Sequence, residues 1–138
     1  MIILDTNVIS ALMQEAPDAK VVAWLDRQPR TSMWTTSVTI LEVQFGIAIL
    51  ERGKRRLFLT QALDVFLDKI DRRIAAFDLA AAHEAGNLMA LRRKKGRPVE
   101  LRDTMIAGIA LAQRAALATR NTVHFNDISA QVINPWTA

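Results

Sequence analysis

The fold is decided by the stretch MIILDTNVIS at residues 1–10, where an aspartate separates an apolar run from a helical pattern. Residues 2–4 are bulky and apolar, which is typical of a short buried strand, and the apolar residues of 7–14 recur at helical spacing. Asp5 is therefore expected where a strand passes into a helix. An aspartate at that position either caps the helix or faces a ligand, and the rest of the chain has to decide between the two.

The remaining sequence repeats this alternation of apolar strands and amphipathic helices. Predicted strands lie at residues 1–5, 32–37, 73–77, 116–119 and 131–133, and predicted helices lie at residues 7–14, 18–28, 38–50, 54–69, 78–95 and 102–115. Strands separated by helices indicate an α/β fold with a central parallel sheet of four to five strands and helices on both faces. No repeat or linker interrupts residues 1–138, so a single domain is expected.

The composition indicates a globular protein of the cytoplasm. Of the 138 residues, 51% are hydrophobic and 23% are charged, which supplies enough apolar side chains for a core. No apolar run reaches the roughly 18 residues that a membrane span needs, and no basic segment typical of a secretory signal precedes the first strand. The lack of cysteine excludes disulfides and thiolate metal sites.

Positive charge is concentrated in two short segments. The chain has 18 basic and 14 acidic residues, a formal charge of +4, and basic clusters at residues 52–56 and 92–97. Clustered positive charge attracts polyanions such as nucleic acids. Basic residues near a helix end also interact favourably with the helix dipole, so charge alone leaves both interpretations open.

Glu42 is an acid in an apolar pattern. On a helix its same-face neighbours are Val38, Phe45 and Ile49, so its carboxylate is expected on the apolar stripe. An unpaired carboxylate buried there would cost several kcal/mol or become protonated. The alternative is a capping box, in which Thr39 caps the helix and Glu42 follows three residues later.

Asp103 repeats this pattern at the start of the predicted helix 102–115, where the alternative is an aspartate N-cap. In a parallel sheet every crossover helix begins at the edge where the strands end. Asp5, Glu42 and Asp103 are all close to helix starts and should converge on that edge, where open sheets bind ligands. Three neighbouring carboxylates without cysteine favour Mg²⁺ or Mn²⁺ over zinc.

Five segments together resemble a known family. They are ILDTNVIS at 3–10, TSVTILEVQFGI at 36–47, LRDTMIAGIA at 101–110, LATRNTVHF at 117–125 and VINPW at 132–136. The chain resembles the PIN-domain ribonucleases of the VapC type, toxins of bacterial toxin–antitoxin pairs, over nearly its whole length. The resemblance implies a three-layer sandwich and an Mg²⁺- or Mn²⁺-dependent endoribonuclease. It also implies a small antitoxin that inhibits the enzyme. The expected partners are this antitoxin and a second copy of the chain, in a homodimer or a larger toxin–antitoxin assembly.

Asp5, Glu42 and Asp103 match the three most regular acidic positions of that family and would hold the metal. Many relatives carry a fourth acid after strand four, and the matching residue here is Asn121. Asn121 would ligate through its carbonyl or orient a water without adding charge. Asp127 is the other candidate for the fourth site residue.

Further residues are expected to assist the site. Thr6 and Asn7 would fix Asp5, while a family aspartate near Asn121 is replaced here by His124. Basic side chains would hold the RNA backbone without reading its sequence. The candidate RNA-binding residues are Arg120, Arg92, Arg93, Lys94, Lys95 and Arg97. Hydrolysis would then use a metal-activated water.

Two other function classes remain open. One is a binding module without catalysis, whose acids receive a basic partner. The other is a phosphatase of the haloacid-dehalogenase kind, in which Asp5 is the nucleophile. Those enzymes carry a second aspartate two residues later, and Asn7 stands there in this chain.

Several conspicuous residues are interpreted as packing. Trp24, Trp34 and Trp136 are expected in the core or at an interface, and Gly46 is expected to allow close helix packing. The segment 47–67 together with Trp24 has more apolar residues than one sheet face buries. This surplus predicts an interaction surface.

Overall fold

The computed structural model describes residues 1–138 and contains five strands and six helices. The strands are β1 (Ile2–Leu4), β2 (Met33–Thr36), β3 (Ile74–Ala75), β4 (Ala116–Ala118) and β5 (Val132–Ile133). The helices are α1 (Thr6–Leu12), α2 (Ala19–Asp26), α3 (Ser37–Ala48), α4 (Lys54–Lys69), α5 (Leu79–Lys94) and α6 (Leu101–Gln113). Two short 3-10 helices, Arg30–Ser32 and Thr122–Phe125, were not predicted. None of the helices is both long and apolar enough to cross a membrane.

The five strands form one parallel sheet in the order β3-β2-β1-β4-β5. Ile2 of the central strand β1 is in register with Met33 on one side and Ala116 on the other. The predicted α/β fold is therefore confirmed. Because the strands are parallel, their carboxyl ends share one edge, and Asp5 follows β1 directly at that edge.

Helices cover both faces of the sheet and enclose two apolar cores. Successive strand residues point to opposite faces, so Leu4 belongs to the core beneath α1–α4 while Ile3 belongs to the core beneath α5 and α6. Trp24 lies in the first core and Phe125 in the second. The sheet is thus buried on both faces, as its continuous apolar strands predict.

The helix starts decide the role of two acids. Thr36 is the N-cap of α3 and its side chain accepts a hydrogen bond from the backbone N of Thr39, so the capping box built on Thr39 and Glu42 is wrong. Glu100 is the N-cap of α6 and accepts from the backbone N of Asp103, so an N-cap role for Asp103 is also wrong. Neither Glu42 nor Asp103 is used to begin its helix.

The apolar residues of α3 that are buried differ from those of the predicted apolar stripe. Val43 and Ile47 are buried, whereas Phe45 is 59% exposed and Ile49 is 67% exposed. Glu42 therefore does not lie within a buried stripe formed with Phe45 and Ile49, as the spacing had predicted. The helix buries the face that also carries Thr39, because that face meets the sheet.

Close helix packing occurs at a different glycine from the predicted one. A Cβ added to Gly46 would meet no atom within 4 Å, so the packing interpretation of Gly46 is wrong. A Cβ on Gly108 would lie 2.6 Å from Ala81 O and 2.7 Å from the Cβ of Ala85. Gly108 is therefore the residue that lets α6 approach α5 closely.

Candidate active site at the carboxyl edge of the sheet

Asp5 is buried at the end of β1 and its side chain is held from three directions. Its Oδ1 accepts from the backbone N of Thr6 at 2.8 Å, which makes Asp5 the N-cap of α1. Its Oδ2 accepts from Thr119 Oγ1 at 2.8 Å and from Asn7 Nδ2 at 3.2 Å. The two interpretations of Asp5 were not exclusive, because one carboxylate caps the helix and also belongs to the acidic site.

The environment of Asp5 disfavours its charge. Burial raises the pKa of Asp5 to about 6, and the negative charges of Asp103 and Glu42 add to that effect. The hydrogen bonds from Thr119 and Thr6 act in the opposite direction without cancelling it. A carboxylate in this state gains from a nearby cation.

Glu42 lies next to Asp5 through their shared neighbour Thr6. The Thr6 hydroxyl donates to Glu42 Oε1 at 2.9 Å, while the Thr6 backbone N donates to Asp5. Arg102 Nη1 lies 3.9 Å from Glu42 Oε2. Burial raises the pKa of Glu42, the charge of Asp103 adds to it, and Thr6 and Arg102 partly oppose it.

Asp103 is in the first turn of α6 and is paired with a histidine. Its Oδ2 lies 2.8 Å from His124 Nδ1. His124 belongs to the 3-10 helix that follows β4, so this contact joins α6 to the segment after the fourth strand. The sequence did not predict this pair, because it placed His124 near the edge without a partner.

The structure brings Asp5, Glu42 and Asp103 into one charged site. The negative charge of Asp103 helps to raise the pKa of both Asp5 and Glu42. No three His, Asp or Glu side chains are already arranged around a single point as a metal ion would require. The donor set nevertheless fits a hard divalent cation, because it consists of carboxylate oxygens. An ion here would compete with Arg102 for Glu42 and with His124 for Asp103.

Asn121 lies beside this site, at the start of the 3-10 helix. Its backbone N donates to Thr119 Oγ1 at 3.1 Å, and that hydroxyl donates to Asp5. Its side chain makes no hydrogen bond within the protein and is exposed. Asn121 is thus near Asp5 with a free amide.

Asp127 is engaged elsewhere, which corrects its candidacy as the fourth site residue. Arg92 Nε donates to Asp127 Oδ2 and Arg92 Nη2 donates to Asp127 Oδ1, both at 2.8 Å. The hydrogen bonds from Arg92 hold the pKa of Asp127 below its usual range. A metal ion at Asp127 would have to displace this bidentate ion pair, which already compensates the charge of the carboxylate.

Arg92 is likewise corrected as an RNA-binding residue. It is 2% exposed, and its remaining donors reach Thr104 Oγ1 at 2.9 Å and His124 O at 2.7 Å. Arg97 is half-buried and donates to Val123 O. The members of this cluster that remain fully exposed are Arg93, Lys94 and Lys95.

Arg120 is exposed at the edge of the acidic site. Its backbone N donates to Asn7 Oδ1 at 3.0 Å, and Asn7 in turn donates to Asp5. Its guanidinium carbon lies 4.9 Å from the centre of the Trp136 ring. The backbone of Arg120 is therefore linked to the network of Asp5, while its guanidinium lies over Trp136.

Thr119 was not singled out by the sequence although it is central to the site. It is fully buried and bonds to Asp5, Asn7 and the backbone of Asn121. A polar residue directly after an apolar strand, at the edge where ligands bind, was the signal that could have identified it.

Two adjoining depressions open beside the site. A cleft of about 270 Å³ is lined by residues that include Thr6, Glu42, Gly46 and Arg55. A larger groove of about 760 Å³ between α1, α2 and α4 is lined mainly by apolar residues. The two share the lining residues Met13 and Gln14, so the apolar groove leads towards Glu42.

Comparison with known proteins is consistent with this arrangement. A family model described as PIN domain matches residues 2–130. VapC ribonuclease Y4jK of Sinorhizobium fredii is 37% identical over 137 residues, covering 99% of this chain and 98% of that protein. Toxin FitB of Neisseria gonorrhoeae is 33% identical over 137 residues, covering 99% of each chain.

Solved structures share the fold over the same length. The crystal structure of FitAcB from Neisseria gonorrhoeae superposes with a TM-score of 0.90 at 32% identity, covering 100% of both chains. The crystal structure of DNA-bound VapBC from Salmonella typhimurium gives a TM-score of 0.76 at 27% identity, covering 96% of both chains.

Proposed function

The chain belongs to the PIN domain family of VapC-type ribonucleases, and from this we propose that it is an Mg²⁺- or Mn²⁺-dependent endoribonuclease and the toxin of a toxin–antitoxin pair. The observation that carries the proposal is the charged site of Asp5, Glu42 and Asp103. Burial and mutual repulsion raise the pKa of Asp5 to about 6 there. Carboxylates gathered in this way bind hard divalent cations through oxygen.

The chain's own residues would prepare this site for phosphodiester hydrolysis. Asp5, Glu42 and Asp103 would hold the ion, with the amide of Asn121 available as a neutral ligand. When bound, such an ion polarises the scissile phosphate and lowers the pKa of an attacking water. Thr119 fixes the orientation of Asp5 by donating to Oδ2. No protein nucleophile is required.

Exposed basic residues would bind the RNA backbone. The formal charge of +4 favours a polyanion. Arg120 stands beside the acids, Arg55 lines the cleft next to Glu42, and Arg93 is exposed at the end of α5. These positions surround the carboxyl edge, where a phosphodiester would have to lie. The target RNA is not specified by these contacts, because they address phosphates rather than bases.

The apolar groove is the proposed binding surface for an antitoxin. The related structures include FitAcB and DNA-bound VapBC. In this chain the groove exposes Leu12, Val22, Leu25 and Phe58, and it joins the cleft that contains Glu42. An apolar segment lying in the groove would direct its next residues to the acids. An arginine among them would pair with a carboxylate there and oppose metal binding.

A homodimer is proposed through the outer face of α3. Leu41, Phe45 and Ile49 are 59%, 59% and 67% exposed and are spaced four residues apart on that helix. An exposed apolar row of this kind is typical of an interface. The segment 47–67 and Trp24 were expected to supply this surface. Ile49, Leu57 and Val65 of that segment are exposed, whereas Ile47 and Trp24 are buried in the core.

The phosphatase alternative is disfavoured by the neighbour of Asp5. The side chain of Asn7 donates to Asp5 Oδ2 at 3.2 Å, and an amide cannot act as the general acid or base that transfer through a carboxylate needs. Asn7 also occupies the position of the second aspartate. These observations support the nuclease over a transfer through Asp5.

The test is RNA cleavage by the purified protein with Mg²⁺, with Mn²⁺ and with EDTA. Cleavage should require a divalent ion and should be lost in Asp5→Asn, Glu42→Gln and Asp103→Asn. Asp64→Asn, which neutralises an exposed acid on α4, is the matched control and should retain full activity. Cleavage that persists in EDTA or in Asp5→Asn would refute the mechanism. Absence of cleavage under every condition would favour the binding module.

A further inference from the structure

The carboxyl-terminal turn places an aromatic ring at the edge of the acidic site. Strand β5 pairs with β4, and Thr119 N donates to Ile133 O at 2.9 Å. The chain then turns at Asn134, whose Oδ1 accepts from the backbone N of Trp136 at 2.9 Å. The half-buried Trp136 ring packs against the apolar core beneath α1–α4. Trp136 is therefore fixed both by its backbone and by its ring.

The guanidinium of Arg120 lies over this ring, with its central carbon 4.9 Å from the ring centroid. The backbone of Arg120 is tied to Asn7 and through it to Asp5. No carboxylate forms a salt bridge with Arg120, whereas Arg92 and Arg102 are both paired with acids. Arg120 is thus an exposed cation without a carboxylate partner, and its backbone is linked to Asp5 through Asn7.

We infer that Trp136 positions the guanidinium of Arg120 to bind a phosphate of the RNA strand beside the carboxylates. The inference rests on the proposed nuclease function. It gives a positioning role to Trp136, which the sequence analysis interpreted as a packing residue. A free arginine side chain populates many rotamers, and holding one face against an indole restricts them. The N–H donors on the guanidinium edge stay free, and their fork matches two phosphate oxygens.

The position of Arg120 favours RNA over an acidic protein segment as the ligand. Arg120 directly follows Thr119, which donates to Asp5, and its own backbone N donates to Asn7 in the same network. A phosphate held there belongs to the strand being cut. Trp136 acts through Arg120 and has no contact with the acids themselves.

The experiment measures binding of a fluorescein-labelled, single-stranded, 2′-O-methylated RNA by anisotropy over a range of salt concentrations in EDTA. Arg120→Ala should weaken binding roughly tenfold, as loss of a charged hydrogen bond does. It should also reduce the slope of log Kd against log salt by about 0.7, the value for one phosphate contact on a single strand. Lys69→Ala, at the opposite edge of the sheet, removes one exposed charge as the control and should change neither value.

The Trp136 variants separate positioning from folding. Trp136→Leu should weaken binding about two- to fivefold, the value of an exposed cation–π contact, with the salt slope unchanged because Arg120 is still present. Trp136→Phe should restore most of the lost affinity and should unfold at the wild-type temperature. In the Arg120→Ala background, Trp136→Leu should have no further effect on binding.

Three outcomes would overturn the inference. One is an Arg120→Ala protein that binds RNA as Lys69→Ala does. Another is a Trp136→Leu effect of equal size in the Arg120→Ala background, which would mean that the indole stacks on RNA or supports the fold by itself. A third is normal RNA binding by Arg120→Ala together with weaker capture of a co-expressed antitoxin, which would assign Arg120 to the protein partner. Failure of the wild-type protein to bind RNA at all would instead refute the proposed function.

Discussion

Arg92 and Asp127 form a bidentate ion pair in which both hydrogen bonds measure 2.8 Å and the arginine side chain is 3% exposed. The same guanidinium also bonds to Thr104, next to Asp103, and to the backbone of His124, whose ring contacts Asp103. The pair therefore fixes the segment after β4 against α6. The pair stabilises the acidic site through Thr104 and His124, but neither Arg92 nor Asp127 belongs to that site.

Removing Arg92 should strongly destabilise the protein. Arg92→Met leaves the partly buried Asp127 with only a 4.0 Å contact to Arg97 Nη1. Losses of up to about 3–5 kcal/mol in the free energy of unfolding are typical of breaking a buried ion pair. Urea unfolding followed by circular dichroism measures this. Arg93→Met, on the exposed neighbour, should change stability by less than about 0.5 kcal/mol. Equal stability of the two variants would show that the buried pair is not required.

Asp5→Asn should stabilise the protein while abolishing cleavage. The folded-state pKa of Asp5 is about 6, above the ordinary value of 3.8 for an aspartate, so ionisation of this carboxyl costs the folded state free energy. A difference of about two pKa units corresponds to about 3 kcal/mol in the free energy of unfolding. This is an upper value for the gain from Asp5→Asn, because the asparagine amide loses hydrogen bonds that the carboxylate accepts. The favourable contribution of protonated Asp5 is complete below about pH 4 and is lost as the pH rises through 6.

The stability gain of Asp5→Asn should therefore be largest above pH 6 and should shrink as the pH falls towards 4. Chemical unfolding of both proteins across this pH range gives the difference directly, with Asp64→Asn as the exposed control. A gain that does not vary with pH would contradict the assignment of the raised pKa to Asp5.

Asn121→Asp should tighten metal binding. The Asn121 side chain is free and lies next to the Asp5 network, so a carboxylate there adds a charged ligand to a site that has three. Calorimetric titration with Mn²⁺ should show higher affinity for Asn121→Asp than for the wild type. Asp127→Asn should leave Mn²⁺ affinity unchanged once any loss of stability is allowed for. Loss of a metal site in Asp127→Asn alone would reverse the two assignments.

Phe45→Asp should convert the proposed dimer to a monomer. The change places a charge in the middle of the exposed apolar row on α3, where a partner copy would have to bury it. Light scattering of the purified protein measures the mass. Leu79→Asp is the matched control, since Leu79 is 75% exposed at the start of α5 and lies outside that row. A wild-type protein that is already monomeric would refute the dimer.

The sequence was sufficient for the fold because its apolar periodicity is strong and its strands and helices alternate. Parallel topology then implied that Asp5, Glu42 and Asp103 meet at one edge, since every crossover helix begins there. The N-cap of α3 is Thr36, the last residue of β2, and not Thr39 three positions later. The apolar pattern did not distinguish these two positions. Helix boundaries have this uncertainty in general.

The remaining site contacts could not be predicted from the sequence, because they join segments that are far apart along the chain. Arg92 belongs to a run of basic residues that looks uniformly solvated, yet the approach of α5 to α6 at Gly108 buries it beside Asp127. Thr119 and Trp136 acquire their roles only when β4 and β5 lie side by side. Such pairings depend on tertiary distances, which the spacing along one helix or strand does not contain.

The central position of β1 has a consequence for the order of synthesis. β1 is made first, but it lies between β2 and β4, and Asp5 receives a hydrogen bond from Thr119, 114 residues later. Contacts of such long range form late and slowly. A growing chain on the ribosome therefore lacks the group that fixes Asp5 until Thr119 has been translated. The proposed nuclease site is incomplete in every nascent chain that ends before that residue.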